Sequence, residues 1–494
     1  MTPMMLQTDG YKLDHRRQFV PGSTRGLTNL TARKGRLDGF DGIVYVGGQY
    51  LFDRFFNDEM HATFFNRPVD EVCDVYQAFL NDYVPGNTIG TDHVRALHDL
   101  DYLPLRFRSL PEGSYVPYGV PFFTVENTHP DFLWLTNYFE TLISSVLWKP
   151  ITSATMAREY RKVLQEAVDT AGVPAEFVPF QAHDFSFRGM SGPEDAALSG
   201  LGHLVYFTGS DCLPAVRLAQ DYYHATGFIA GTVPATEHAV MCSGTKEDER
   251  ETYRRLLEDV YPSGFCSIVS DTWNLWDVLL KIIPSLHDLI MNRDGTFVVR
   301  PDSGDPVKIL CGDPDADPNE PEFKGVVELL WDEFGGSVND KGFKVLDSHV
   351  GAIYGDSITL ERAKAIRDNL MAKGFCPTVV LGVGSFTYQY VTRDTHGMAM
   401  KMTWVLVDGE DRRIWKDPIT DYVNGVSTKK SAKGRVVVQQ FGEDFILHDN
   451  LTLEEEEALE PINALRVVWE DGVAYGRTTL DEIRQRALAG ILNQ

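Results

Sequence analysis

Seven short apolar runs between residues 177 and 392 each end in a charged residue or a glycine, and this repetition is the strongest constraint on the fold. FVPFQAHDFSFRG reaches His183, Asp184 and Arg188, LVYFTGSD ends in Asp211, and FIAGTVPATEH ends in Glu237 and His238. CSIVSD ends in Asp271, TFVVRPDSG in Arg300 and Asp302, GAIYGDS in Gly355 and Asp356, and VVLGVGS in Gly384 and Ser385. Helical patterns follow some of them, as in TWNLWDVLLKI and ITLERAKAIRDNLMAKG. Ligands of parallel α/β sheets sit beyond the carboxyl ends of the strands, and in a (β/α) barrel those ends converge on one face. The pattern predicts an α/β protein with an irregular (β/α) barrel over residues 151–397 and a polar, glycine-lined mouth.

The flanks, 1–150 and 398–494, mix short strands and helices and predict a second, mixed α+β domain built from both chain ends. Residues 113–128 alternate Val and Phe with turn residues in the manner of hairpin strands. Val163, Leu164, Ala167 and Val168 predict a helix over 152–172 that stops at Gly172. Asp471-Gly472 predicts a hairpin turn, and Thr479 with Glu482 a capping box for the last helix. GDPDADPNEPEFKG (312–325) is read as a solvated loop inserted in a domain, and the acidic run near Leu451 as a solvated face or helix start.

Charge narrows the partners. Of 494 residues, 46 are Lys or Arg and 71 are Asp or Glu, a net charge of −25, which is the wrong sign for a nucleic-acid-coating protein. An anionic ligand would need a locally basic pocket. Six scattered cysteines without a CxxC pair argue against a disulfide scaffold or structural zinc. No apolar run approaches the roughly 18 residues of a membrane span, and the N-terminus lacks a signal-peptide pattern. The expectation is a reduced, cytoplasmic protein with no membrane partner.

At the strand ends, GVGS could cradle a phosphate with backbone amides or be an ordinary tight turn. Asp356 after Gly355 could grip a ribose diol or cap a helix. Arg300-Pro301-Asp302-Ser303-Gly304 joins a cation to an anion, for ligand binding or as a structural pair. His238 beside Glu237 suits nucleophilic or acid–base work, with Asp271 available to fix its tautomer. Lys401, Lys416, Lys429, Lys430, Lys433 and Arg435 form a basic stretch, a surface patch or a phosphate clamp.

Eleven collinear blocks carry a resemblance: TDGYK (8–12), FTVENT (123–128), HDFSFRG (183–189), GSD (209–211), PATEH (234–238), VSD (269–271), RPDSG (300–304), GD (355–356), TRD (392–394), KDP (416–418) and KGR (433–435). Together they resemble the nicotinamide phosphoribosyltransferase family from about residue 6 to the last helix. The resemblance implies a type II phosphoribosyltransferase that joins nicotinamide to 5-phosphoribosyl 1-pyrophosphate, giving nicotinamide mononucleotide and pyrophosphate in NAD salvage. It also implies a homodimer with shared active sites, Mg²⁺, and ATP hydrolysis coupled through a phosphohistidine.

The same resemblance makes His238 the phosphorylated histidine, with Glu237 and Asp271 as neighbours. Phe185 and a second subunit's Tyr11 match the aromatic pair around the pyridine, and Asp211 the acceptor for the carboxamide NH₂. Arg300 is placed near base and phosphate, and Asp302 and Asp356 near ribose. Gly384 and Ser385 match the 5′-phosphate cradle. Arg33, Arg188, Arg393, Lys401 and Lys429 match the phosphate-binding cations, several supplied across the dimer. GVGSF stands where the family often has consecutive glycines. The nicotinate enzyme and a catalytically silent dimeric binding protein are the alternatives.

Overall fold

The chain divides into two units, one of Met1–Thr155, Leu218–Ala225 and Thr392–Gln494, the other of Met156–Arg217 and Thr226–Val391. The computed structural model describes residues 2–416, 420, 422–423, 426–427 and 431–492. Lys429 and Lys430 therefore lie outside the described residues, as do two residues of the KDP block.

The second unit holds β1 (Ala182–Asp184), β2 (Gly209–Ser210), β3 (Cys266–Val269), β4 (Phe297–Arg300), β5 (Val350–Tyr354) and β6 (Val380–Val383). Their spatial order is β2-β1-β6-β5-β4-β3, and every pair is parallel. The remaining apolar run, FIAGTVPATEH, is no regular strand, yet it bridges both free edges. Gly231 pairs with Gly209 of β2, and Ala235 pairs with Ser267 of β3. Ser210 N donates to Gly231 O (3.1 Å), Ser267 N to Pro234 O (2.8 Å) and Thr236 N to Ser267 O (2.9 Å). All seven runs thus form one ring.

Alternation along β4 separates the faces: Phe297 and Val299 are fully buried, while Val298 and Arg300 line a central cavity of about 770 Å³. Small residues such as Gly231, Ala235, Ser267, Gly351 and Ala352 are part of its lining, and the interior is left open rather than filled by layers of side chains as barrel interiors commonly are. The helix Pro306–Cys311, capped by Asp305, ends just before the 312–325 stretch, and a second helix begins within it at Pro321, so only its first part is loop.

The first unit is built on a seven-stranded sheet. An interior strand, Ser23–Ala32, pairs antiparallel with Met398–Val407 on one side and with the central strand, Pro121–Asn127, on the other, so both chain ends share one sheet. Aromatic rings pack on it: Phe56 lies 5.1 Å from Phe107, and Phe52 lies 5.9 Å from Phe123. Residues 113–128 are not a hairpin. Tyr115–Pro117 pairs with Gly42–Val44, whereas Pro121–Asn127 pairs with Ser23–Ala32 and Leu105–Ser109. The expected 152–172 helix is the second half of a longer one, Glu140–Ala171, which runs through Pro150. Gly47 (φ 107°) accommodates that proline, because a Cβ there would lie 2.9 Å from the Pro150 ring. The hairpin at Asp471-Gly472 and the Thr479–Glu482 capping box form as expected.

Arg435 is not part of a phosphate clamp. It is 3% exposed, grips Glu126 with two hydrogen bonds of 3.0 Å, and also bonds Glu456. Burial pushes the Glu126 carboxyl upward, but Arg435, Arg25 and Arg106 outweigh it and hold it below the usual range. Glu456 belongs to the acidic run and sits on the helix Leu453–Leu459, which opens with a Thr452–Glu455 capping box. Removing one member of a buried ion group leaves the others uncompensated. Arg435→Ala is expected to lower stability by about 3–5 kcal/mol, measured by denaturant unfolding against the wild-type chain.

Candidate active site

Parallel pairing brings the ends of the ring's strands to one mouth, and several predicted side chains meet there. His238 opens the short helix His238–Ser243 just past the bridging segment, with exposed Glu237 before it. The His238 Nε2 lies 3.9 Å from Asp271 Oδ1 and 3.8 Å from Asp302 Oδ2, while Nδ1 is hydrogen-bonded to Thr272 Oγ1 at 3.1 Å. Asp271 is thus a charged neighbour, and Thr272, absent from the expected set, makes the hydrogen bond to the ring.

Asp271 instead organises the β4 end, accepting from Asp302 N (2.8 Å) and Ser303 Oγ (2.6 Å). Its other oxygen is buried without a hydrogen-bond partner and faces His238. Arg300 donates to the carbonyl of Thr236 at 2.6 Å, tying β4 to the segment that closes the ring. Burial raises the Asp302 carboxyl above its usual value; Arg300 and His238 pull it down, and Asp271 and Asp356 push it up. Asp356 does not cap the following helix, because the side chain of Thr359 does so. Three carboxylates crowded beside one Arg and one His form a site that a bound cation or cationic intermediate would relieve.

Glycines set the approach distances. A Cβ on Gly355 would lie 1.9 Å from Asp302 Oδ1, and one on Gly382 would lie 2.7 Å from the ring of Phe185. Gly189 meets Ser385 closely: a Cβ on Gly189 would lie only 2.6 Å from the Ser385 Cβ, so the exposed Arg188 turn lies against the GVGS end of β6. Gly384 has open space where a side chain would be, and Ser385 starts the turn Ser385–Tyr388.

At the β1 and β2 ends, His183 Nε2 lies 2.9 Å from Asp211 Oδ1, and its ring is 4.6 Å from that of Phe185. Burial pushes the Asp211 carboxyl up, but hydrogen bonds from His183 and Thr232 and the charges of His183 and Arg300 outweigh it, leaving it below the usual value. His183 and Phe185 both line the central cavity. The HDF and GSD blocks contained this contact, but only strand pairing reveals it.

Tyr11, Arg33, Arg393 and Lys401 belong to the first unit. Tyr11 is 66% exposed, with the Lys12 ammonium 5.4 Å from its ring centre. Glu140 holds Lys12 at 2.8 Å and Lys401 at 3.6 Å. Burial lowers the Lys401 pKa, Glu140 raises it, and Arg33 and Lys12 lower it further, so these cations are crowded. Arg393 bonds Asp394 (3.0 Å), which also pairs with Arg36 at 3.5 Å. Lys12 lies in the TDGYK block, but its pairing with Glu140, more than a hundred residues away, carries no local signal.

A sequence profile described as the Nicotinate phosphoribosyltransferase (NAPRTase) family matches residues 180–459, and one described as Nicotinamide phosphoribosyltransferase, N-terminal domain, matches residues 3–102. The chain is 47% identical over 490 residues to the nicotinamide phosphoribosyltransferase of Acinetobacter baylyi, covering 97% of this chain and 95% of that protein. The chain belongs to the nicotinamide phosphoribosyltransferase family.

The family's protein from Xanthomonas campestris pv. campestris is 32% identical over 99% of both chains. Among solved structures, nicotinate-nucleotide pyrophosphorylase from Pyrococcus furiosus superposes with a TM-score of 0.60 at 15% identity, covering 99% of this chain and 97% of that one. Human nicotinic acid phosphoribosyltransferase gives 0.52 at 17% identity, over 98% and 92%. These two share the fold. The chain is accordingly a pentosyltransferase of the nicotinamide phosphoribosyltransferase family, acting in NAD salvage. Among the described residues, no helix is long and apolar enough to cross a membrane.

Gly355→Ala tests the mouth directly. The new methyl collides with the Asp302 carboxylate, and displacing a site group by about 1 Å can cost on the order of 10²-fold in rate. The variant is expected to lose about that much phosphoribosyl-transfer kcat/KM while keeping its unfolding transition, as steady-state kinetics and thermal melting would record.

Proposed function

We propose that this enzyme transfers the 5-phosphoribosyl group from 5-phosphoribosyl 1-pyrophosphate to nicotinamide, forming nicotinamide mononucleotide and pyrophosphate. The observation that carries this reading is Asp211, held as an ionised acceptor by His183, whose ring also packs on Phe185. A carboxylate there accepts from a carboxamide NH₂ and repels the carboxylate of nicotinate. The relatives' names agree with nicotinamide as the acceptor.

In this mechanism the pyridine lies against Phe185, with Tyr11 of a second copy on its other face, so its nitrogen is presented to the anomeric carbon. The C–O bond to pyrophosphate breaks as the new C–N bond forms, and the ribosyl centre gains oxocarbenium character. Asp302 and Asp356 hold the ribose hydroxyls and stabilise the positive charge. The amides at Gly384 and Ser385, with Arg188, take the 5′-phosphate. Arg33, Arg393, Lys401 and Lys429, some contributed by the second copy of a homodimer, stabilise the departing pyrophosphate. Mg²⁺ would neutralise the pyrophosphate; as a hard cation that keeps much of its coordination to phosphate and water, it needs only one or two carboxylates, which Asp302 and Asp356 offer.

We further propose that His238 accepts the γ-phosphoryl group of ATP, releasing ADP, and returns it to water, coupling ATP hydrolysis to turnover. Its position between Asp271 and Asp302 supports this, since two carboxylates favour the cationic imidazole formed as the ring nitrogen attacks phosphorus.

Two measurements test these assignments. Asp211→Asn is expected to raise nicotinate use relative to nicotinamide by about tenfold or more, read as the ratio of kcat/KM values; an unchanged ratio excludes the role given to Asp211. His238→Ala should retain basal transfer but lose ATP stimulation and ³²P labelling from [γ-³²P]ATP, and undiminished labelling would refute the phosphohistidine.

A further inference from the structure

The side chain of His183 is 10% exposed and touches both elements that define the pyridine pocket. A carboxylate can only accept, so the nitrogen facing Asp211 Oδ1 at 2.9 Å carries the proton and donates. The same ring packs at 4.6 Å, tilted by 40°, against Phe185. Strand pairing makes this possible: His183 of β1 lies opposite Gly209 of β2, two residues before Asp211, and Asp211 N donates to Asp184 O at 3.0 Å. Gly209 leaves the ring its space, because a Cβ there would stand 2.9 Å from His183 Nδ1.

We propose that His183 is a positioning residue for pyridine specificity, its ring packed on Phe185 and its N–H holding the Asp211 carboxylate as a fixed, acceptor-only group, so that the site takes an uncharged carboxamide in preference to a carboxylate. The proposal rests on the role given to Asp211 above and adds what keeps Asp211 in that role. Without the donor, the half-exposed Asp211 side chain can rotate and take up a proton more readily. A protonated Asp211 could itself donate to nicotinate, so selectivity falls together with nicotinamide affinity. Thr232 and Arg300 also act on Asp211; the imidazole in addition packs on Phe185.

The test compares kcat and KM for nicotinamide and nicotinate in His183→Phe and His183→Gln. Phe keeps the ring and its packing on Phe185 but has no donor; Gln restores an N–H near the position of Nε2. Loss of a hydrogen bond to a charged group predicts, for His183→Phe, a nicotinamide KM raised on the order of tenfold, with a matching fall in the nicotinamide-to-nicotinate ratio and little change in kcat. His183→Gln should stay within about threefold of wild type. A His183→Phe ratio within about twofold of wild type overturns the proposal, as does equal damage in both variants. If His183→Phe does not fold, Gly209→Ala, which crowds the same ring, should lower the ratio, and an unchanged ratio is equally fatal.

Asp211→Asn in the same assay separates the two readings. If it leaves the ratio unchanged, the role of Asp211 falls; if it shifts the ratio and His183→Phe does not, only the role of His183 falls. Adding His183→Phe to Asp211→Asn should change the ratio no further, since the histidine acts through that carboxylate; an additive loss overturns the proposal.

Discussion

Closure of the parallel ring is the constraint on which the site in the second unit depends. Six strands would leave two open edges, and the irregular segment 231–236 satisfies both with backbone hydrogen bonds to Gly209–Ser210 and Ser267. Because every neighbour is parallel, each strand delivers its last residues to the same mouth. Arg300 reinforces the closure by donating to Thr236 O, so one guanidinium both seals the ring and charges its rim. A single antiparallel strand would have sent its terminal residues to the opposite face.

Electrostatics at that rim run against the character of the chain. The protein carries 25 net negative charges, yet two of its proposed substrates, 5-phosphoribosyl 1-pyrophosphate and ATP, are polyanions. Within the second unit, Asp271, Asp302 and Asp356 crowd together, which suits a developing cation, and their repulsion is moderated by Arg300 and His238. Within the first unit, Lys12, Lys401 and Arg33 crowd together around Glu140, which suits an anion. Within its own unit, each crowded group of like charges is relieved when charge of the opposite sign is bound.

The strand-end pattern was legible because alternation and terminal residues are properties of consecutive positions. The capping box at Thr479 was legible for the same reason, since a cap involves residues three apart, whereas the acidic run near Leu451 was read only as a solvated face or helix start and its Thr452–Glu455 box was not. The hairpin proposed for 113–128 was not formed: Tyr115–Pro117 and Pro121–Asn127 have the right composition, but their partners come from residues 23–44 and 105–109. Pro150 likewise hid the first half of a 32-residue helix, because local rules stop a helix at proline while Gly47 makes room for this one.

Sequence alone determined that this chain builds a parallel α/β ring with charged and glycine-tipped strands, and which blocks carry the family. Only tertiary structure decided what each charge does. Arg435 and Lys401 look alike in a basic stretch, yet one is locked between Glu126 and Glu456 while the other is 40% exposed at its side chain. His183 and His238 both end apolar runs, yet one is buried against Asp211 and the other stands half-exposed between two carboxylates. The difference is physical: periodicity and capping act over a few residues, whereas burial and ion pairing depend on which distant strands become neighbours, and that is set by the whole ring and sheet.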